Sequence, residues 1–337
     1  MHDFLSLDRE EQADIITAAA ARLGRNLEVL QKDLWVCWAL QTLFNIPNRV
    51  EMAFKGGTSL SKVFNVIHRF SEDVDVTLDY RNWGDDLDPF SVSSRTQQKI
   101  RCEKLKERVG QYVHQTVLPH FEERLFRDTK GAGTIEVSED GEKLYVTYPS
   151  VFDESVSYIA DRVFVEFGGR NITEPKESYT IKPYLSDIVG DLELPTAVVD
   201  VLSPKRTFWE KATLIHVECH RNRGTTPERM SRHWYDMAML LNVDIGNDAL
   251  KDVILLRDVL YYKRMFFGAA YANYDACIEG GFRLIPEGPL LSSLREDYGK
   301  LISSGLFDLD PPTFEEIVQV LEKTQERINE EVLKASP

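Results

Sequence analysis

Cysteine is scarce in this chain of 337 residues. The four, Cys37, Cys102, Cys219 and Cys277, lie far apart with no CxxC pair. That spacing excludes a zinc knuckle and a small disulfide scaffold, and leads to the expectation of a reducing cytoplasm. No apolar run approaches the about 18 residues of a membrane helix. The first residues, MHDFLSLDREEQADII, do not follow the charged-then-apolar order of a signal peptide. Positive charge is in the minority, with 40 Lys and Arg against 55 Asp and Glu, net -15. Non-specific grip on duplex DNA is therefore disfavoured, since that role is carried by an excess of cations. There is no internal repeat, no GxxxxGK[ST] loop, no HExxH and no GxSxG, so P-loop, zincin and nucleophile-elbow chemistry are not indicated.

What remains is ordinary for a globular protein: 43% hydrophobic and 28% charged residues. At about 150 residues per domain the length predicts two domains. In LEVLQKDLWVCWALQTLF, Leu27, Leu30, Leu34, Cys37 and Trp38 recur at steps of three and four, which predicts a helix with one buried face, closed by Pro47. Residues 92 to 127 read as helical, TIEVSEDGEKLYVTYP reads as a hairpin turning at Glu139 to Gly141, and RVFVEFGG and TAVVDVL read as strands. From Pro204 onward the pattern is helical, ending in TFEEIVQVLEKTQERINEEVL. Strands thus fall between about 51 and 202, which predicts an α+β or α/β core over 1–202 and a mostly helical domain over 203–337.

The chemistry concentrates in FKGGTSLSKVFNVIHRFSEDVDVTLDY. Leu60, Val63, Phe64 and Ile67 predict a helix between Thr58 and Phe70. Gly56 and Gly57 precede it, with Thr58 and Ser59 as cap hydroxyls. A glycine turn opening a helix presents backbone N–H groups to an anion. In SEDVDVTLD, Val74, Val76 and Leu78 alternate with acids, so Asp73 and Asp75 share one face of a strand. Two neighbouring carboxylates repel and are stabilised by a cation. Mg²⁺ takes such oxygens together with substrate phosphates, so turn and acid pair together point to a metal–nucleotide site.

In this order, GGTSLSK and RFSEDVDVTLD resemble the signature of the polymerase β-like nucleotidyltransferases, and more narrowly that of the AbiEii/AbiGii toxin family. TFWEKATLIHVECHR and ERMSRHWYDMAML resemble that family's lysine-bearing helix and its helix with a terminal aspartate. The resemblance covers about 30 to 240. It implies a mixed sheet flanked by helices, with a helical C-terminal region contributing Lys211 and Asp236 to the site.

The resemblance further implies that Gly56, Gly57, Thr58 and Ser59 hold a nucleoside triphosphate, with Asp73 and Asp75 holding Mg²⁺ or Mn²⁺. Glu166, an acid in a mostly apolar strand, would be the third metal ligand; its alternative is an ion pair with Arg162 or Arg170. Lys211 would reach triphosphate oxygens, or else pair with a nearby acid. Asp236 would serve activity, or else form a structural cluster with Arg229, Arg232 and His233 on one helical face. Arg69 and Ser71 are candidate phosphate contacts. Residues 203 to 236 hold seven Lys or Arg against four Asp or Glu, with Arg221, Arg223 and Arg229 among them, a basic strip suited to a nucleotide or an RNA end.

The implied activity is transfer of a nucleoside monophosphate to an acceptor hydroxyl with release of pyrophosphate. The implied acceptor is RNA, the 3′ end of tRNA, and the implied setting is a cytoplasmic toxin–antitoxin or phage-defence system with a cognate antitoxin. The alternatives are transfer to a protein or small molecule, a catalytically idle nucleotide-binding module, and an interaction protein using its acidic C-terminal helix.

Overall fold

The computed structural model describes residues 2–152, 160–221 and 227–335. They divide into two compact units: Met1–Val63 with Phe70–Val201, and Phe64–Arg69 with Leu202–Pro337. No helix among the described residues is long and apolar enough to cross a membrane.

The first unit is an α+β layer built on a seven-stranded mixed sheet. Its strands are β2 (Met52–Lys55), β3 (Asp73–Asp79), β4 (Thr134–Val137), β5 (Lys143–Thr147), β6 (Arg162–Asn171), β7 (Lys176–Ile181) and β9 (Ala197–Leu202). A separate two-residue strand β1 (His2–Asp3) pairs in parallel with β8 (Leu192–Glu193). The order across the large sheet is β4-β5-β6-β3-β2-β9-β7. β3 lies antiparallel to β2 and parallel to β6, so the acid-bearing strand is central. The hairpin expected from TIEVSEDGEKLYVTYP is β4–β5, with Gly141 at φ 72° in its turn.

Period-two alternation decides what each face carries. Val74, Val76, Leu78, Val163, Val165, Phe167, Leu144 and Val146 are buried on one face. Helices α2 (Leu27–Phe44) and α4 (Arg95–Tyr112) pack against β6, and α5 (Leu118–Thr129) against β4. α1 (Arg9–Leu23) starts with an Asp8–Glu11 capping box and ends on left-handed Gly24. α4 and α5 are joined by a π turn over Val113–Val117, next to Pro119, which cannot donate into the helical ladder.

Two expectations are corrected here. α2 is not buried on one face alone: Gln31, Lys32 and Asp33 are buried as well. Their burial is made tolerable by partners, Lys32 with Glu72 and Asp33 with Lys62. The helix expected over 58–70 is α3, Gly56–Lys62, only seven residues long. It begins at the glycines themselves and ends before Asn65, which takes a left-handed φ of 49°. Val66, Ile67 and Phe70 are buried from irregular backbone. An apolar period over so short a span did not distinguish these outcomes.

The second unit is helical: α6 (Pro204–His220), α7 (Arg232–Leu241), α8 (Asp244–Lys251), α9 (Val253–Phe267), α10 (Gly288–Ser303) and α11 (Phe314–Lys334). α6 packs on α7, α8 and α9, and α11 on α7 and α8. α11 opens with a Thr313–Glu316 capping box. Phe64–Arg69 joins this unit through an isolated bridge, Arg69 with Phe307.

Candidate active site

In the first unit, Asp73 and Asp75 lie two residues apart on β3 and so share the sheet face opposite the buried valines. Asp73 is buried and Asp75 partly so. Thr58 Oγ1 donates to the Asp73 carbonyl at 2.5 Å, which ties the start of α3 to the start of β3. Gly56, at φ 82°, lies directly under Asp75, and a Cβ there would come within 2.1 Å of Asp75 Oδ2. Only glycine meets both conditions, so the first glycine is where backbone and carboxylate close on each other.

Thr58 and Ser59 are buried but do not act as cap hydroxyls. Ser59 Oγ donates to the Gly56 carbonyl at 3.0 Å, and the residue preceding α3 makes no side-chain cap. Gly57 is buried in the first turn, and Ser71 is buried just before β3.

Strand register extends the site sideways. Asp75 is aligned with Lys55 on β2 and with Glu166 on β6, while Glu166 is aligned with Lys143 on β5. One row across four strands therefore reads Lys55, Asp75, Glu166, Lys143. Glu166 pairs with Lys143 at 3.0 Å, and with neither Arg162 nor Arg170. Arg170 goes to Glu142 at 3.8 Å, and the Arg162 guanidinium lies over the Tyr145 ring. Lys143 was not singled out in the sequence; the sole signal for it was its position on the outward phase of β5.

Among the described residues no three or more His, Cys, Asp or Glu are gathered closely enough to hold one ion. Asp73 and Asp75 are two neighbouring carboxylates on one face of β3, the kind of oxygen pair that could hold a divalent metal. Such hard oxygens fit Mg²⁺ or Mn²⁺, which complete their shells with water and phosphate oxygens.

The second unit carries its own charged cluster. Arg69 holds Asp236 in a two-pronged pair, Nε to Oδ1 and Nη2 to Oδ2, both 2.8 Å. Lys211 Nζ donates to Asp236 Oδ2 at 2.8 Å. All three are buried. Burial alone would raise the Asp236 carboxyl, but Arg69 and Lys211 outweigh it and hold it well below the usual carboxylate range. His233 stands beside this cluster. Its Nδ1 is buried without a hydrogen-bond partner among the described residues, and burial followed by the nearby Lys211 and Arg232 charges keeps the ring neutral.

Arg229 is not on the helical face expected for it. It precedes α7 in a left-handed turn, φ 61°, where its N–H donates to Asp297. Arg221 pairs with Glu218, and Arg223 lies outside the described residues.

The glycine turn, the acid pair, the lysine helix and the aspartate helix all fall within residues 38–320, which match the family model for the nucleotidyl transferase AbiEii toxin of type IV toxin–antitoxin systems. The chain belongs to the AbiEii nucleotidyltransferase toxin family. No curated protein gives a match. Among solved structures, the chain is similar to MenT4, nucleotidyltransferase toxin Rv2826c from Mycobacterium tuberculosis H37Rv, at 16% identity. That comparison covers 98% of this chain and 100% of that one, with a TM-score of 0.45. As an AbiEii-family member the protein is a nucleotidyltransferase toxin, and the α+β core with a helical C-terminal region is the architecture expected for it.

Proposed function

We propose that this AbiEii-family protein transfers a nucleoside monophosphate from a nucleoside triphosphate to a hydroxyl at the 3′ end of an RNA, tRNA being the acceptor the family resemblance suggests. The observation that carries the reading is the Asp73/Asp75 pair on one sheet face with Gly56 closed beneath Asp75. Asp73 and Asp75 would hold Mg²⁺ or Mn²⁺, which when bound supplies charge neutralisation for attacking and leaving oxygens. Gly56, Gly57, Thr58 and Ser59 present the backbone to the triphosphate, and Gly56 lets the chain approach Asp75 closely.

Such transfer depends on positioning and charge more than on a strong base. Asp236 fixes the Arg69 and Lys211 cations, and phosphate is the ligand class that paired Arg and Lys cations accept. Glu166, already paired with Lys143, acts beside the acid pair. Toxicity follows if a capped tRNA end stops translation, and a cognate antitoxin and a role in phage defence belong to the same reading.

A second reading, transfer to a protein or small molecule, is favoured by the net charge of -15, which repels a polyanion at long range. The test is transfer of label from each α-³²P nucleoside triphosphate to total RNA with Mg²⁺, wild type beside Asp73→Ala. Label on a tRNA-sized band with wild type alone supports the proposal. Label on protein with none on RNA selects the second reading, and no turnover of any triphosphate defeats both.

A further inference from the structure

The sheet face that carries the acid pair continues outward over β6 and β5, and there its composition changes. The residues in phase with Asp73 and Asp75 are Arg162, Phe164 and Glu166 on β6, and Lys143 and Tyr145 on β5. Phe164 is the register partner of Asp73, and Tyr145 is the partner of Phe164. The two rings stand 6.0 Å apart between centroids and are partly exposed. The Arg162 guanidinium, on an exposed side chain, lies 4.6 Å over the Tyr145 ring, and Lys143 Nζ lies 5.6 Å from the centre of Phe164. On the opposite face the same strands bury Leu144, Val146, Val163, Val165 and Phe167.

We propose that Lys143, Tyr145, Arg162 and Phe164 form the platform that receives the unpaired end of a single-stranded RNA acceptor. The proposal rests on the reading of the protein as a transferase acting on RNA. Unpaired bases stack on aromatic rings and on guanidinium planes, while flanking cations meet the phosphates. All of these are present in one patch of two adjacent strands. Phe164 is one strand spacing, roughly 4.8 Å, from the β3 acids, so a base stacked on it keeps its own ribose within reach of Asp73 and Asp75. Tyr145 lies one strand further out, where the preceding base would fall. Stacking tolerates any base, so the platform grips an end without reading its sequence.

A cross-strand aromatic pair also stabilises a sheet without any ligand, and the experiment separates the two roles. Binding is read by fluorescence anisotropy with a fluorescein-labelled RNA of about twelve nucleotides, single-stranded and in duplex form. The full chain is used as wild type, Arg162→Ala, Phe164→Leu and Phe164→Trp. Wild type is expected to prefer the single strand. Arg162→Ala and Phe164→Leu are each expected to weaken it on the order of tenfold, and Phe164→Trp to retain it. Arg162 is exposed, so its replacement does not threaten the core. Equal binding by all four proteins overturns the platform while leaving transfer to RNA standing. A wild type that binds single strand no better than duplex, and labels only protein or a small molecule, removes the platform and the RNA acceptor together.

Discussion

The Asp75 carboxylate leaves no room for a side chain at Gly56. The glycine sits at φ 82° with no room for a Cβ, because the Asp75 carboxylate oxygen lies 2.1 Å from where it would be. Gly56→Ala is therefore expected to push Asp75 aside or to strain the turn by about 1–2 kcal/mol. Transfer should be lost while far-UV circular dichroism and the urea midpoint change little. A variant as active as wild type would show that the close approach has no catalytic use.

Removing either acid should separate activity from stability. Asp73→Asn and Asp75→Asn are each expected to lower turnover by about a thousandfold, the scale of several kcal/mol of charge stabilisation. The melting temperature should hold or rise, since one of two like charges is removed. Thermal melts alongside pyrophosphate release measure both quantities in one preparation.

The Asp236 cluster behaves in the opposite way. Asp236→Asn leaves two buried cations, Arg69 and Lys211, without their counter-charge, and should cost about 3–5 kcal/mol in urea unfolding. The native carboxyl lies well below its ordinary value, so the pair's contribution is complete at neutral pH and is lost as pH falls below about 4. Arg69→Met with Asp236→Leu should recover part of that loss.

A second acid-sensitive element is predicted at milder pH. His216 Nε2 lies 3.1 Å from the Asn273 carbonyl, and its Nδ1 accepts the Arg283 N–H at 3.0 Å, so the ring is used as a neutral donor and acceptor at once. Burial pushes its pKa down to about 4, and neighbouring His220 and Arg283 act the same way, with the Asn273 bond opposing them. The unfolded chain binds this proton near 6.5 and the folded chain only near 4, so stability falls as pH drops between those values. Urea midpoints from pH 7 to pH 4 should show that slope, and His216→Gln should flatten it.

Lys62 and Asp33 form a buried pair at the far end of α3, and Asp33 also accepts the Tyr184 N–H at 2.7 Å. Lys62→Met is expected to destabilise by about 3–5 kcal/mol, with the double variant Lys62→Met, Asp33→Asn losing less than the single one. Chemical denaturation of the three proteins gives the coupling directly.

Legibility in the sequence followed the range of each interaction. The strand phase of Asp73 and Asp75, the β4–β5 hairpin and the start of α11 depend on neighbours a few residues away, and all were readable from spacing and turn residues. The length of α3 was not, because its end depends on left-handed Asn65 and on irregular backbone that still buries Val66, Ile67 and Phe70. The partner of Glu166 was missed because Lys143 meets it through the register between β5 and β6, strands separated in the sequence. Arg69 and Asp236, 167 positions apart, meet only in the folded chain, and each alone reads as an ordinary charge.

The excursion of Phe64–Arg69 bears on how this protein can be cut. A break at the Val201–Leu202 boundary gives a C-terminal fragment that keeps Lys211 and Asp236 but loses Arg69, the two-pronged half of their cluster. The matching N-terminal fragment would carry an arginine evolved for a buried carboxylate it no longer has. Dissection of the chain into separately expressed halves therefore has no clean single scissor point. A working C-terminal piece has to include, by fusion or by circular permutation, six residues that the gene places before β3.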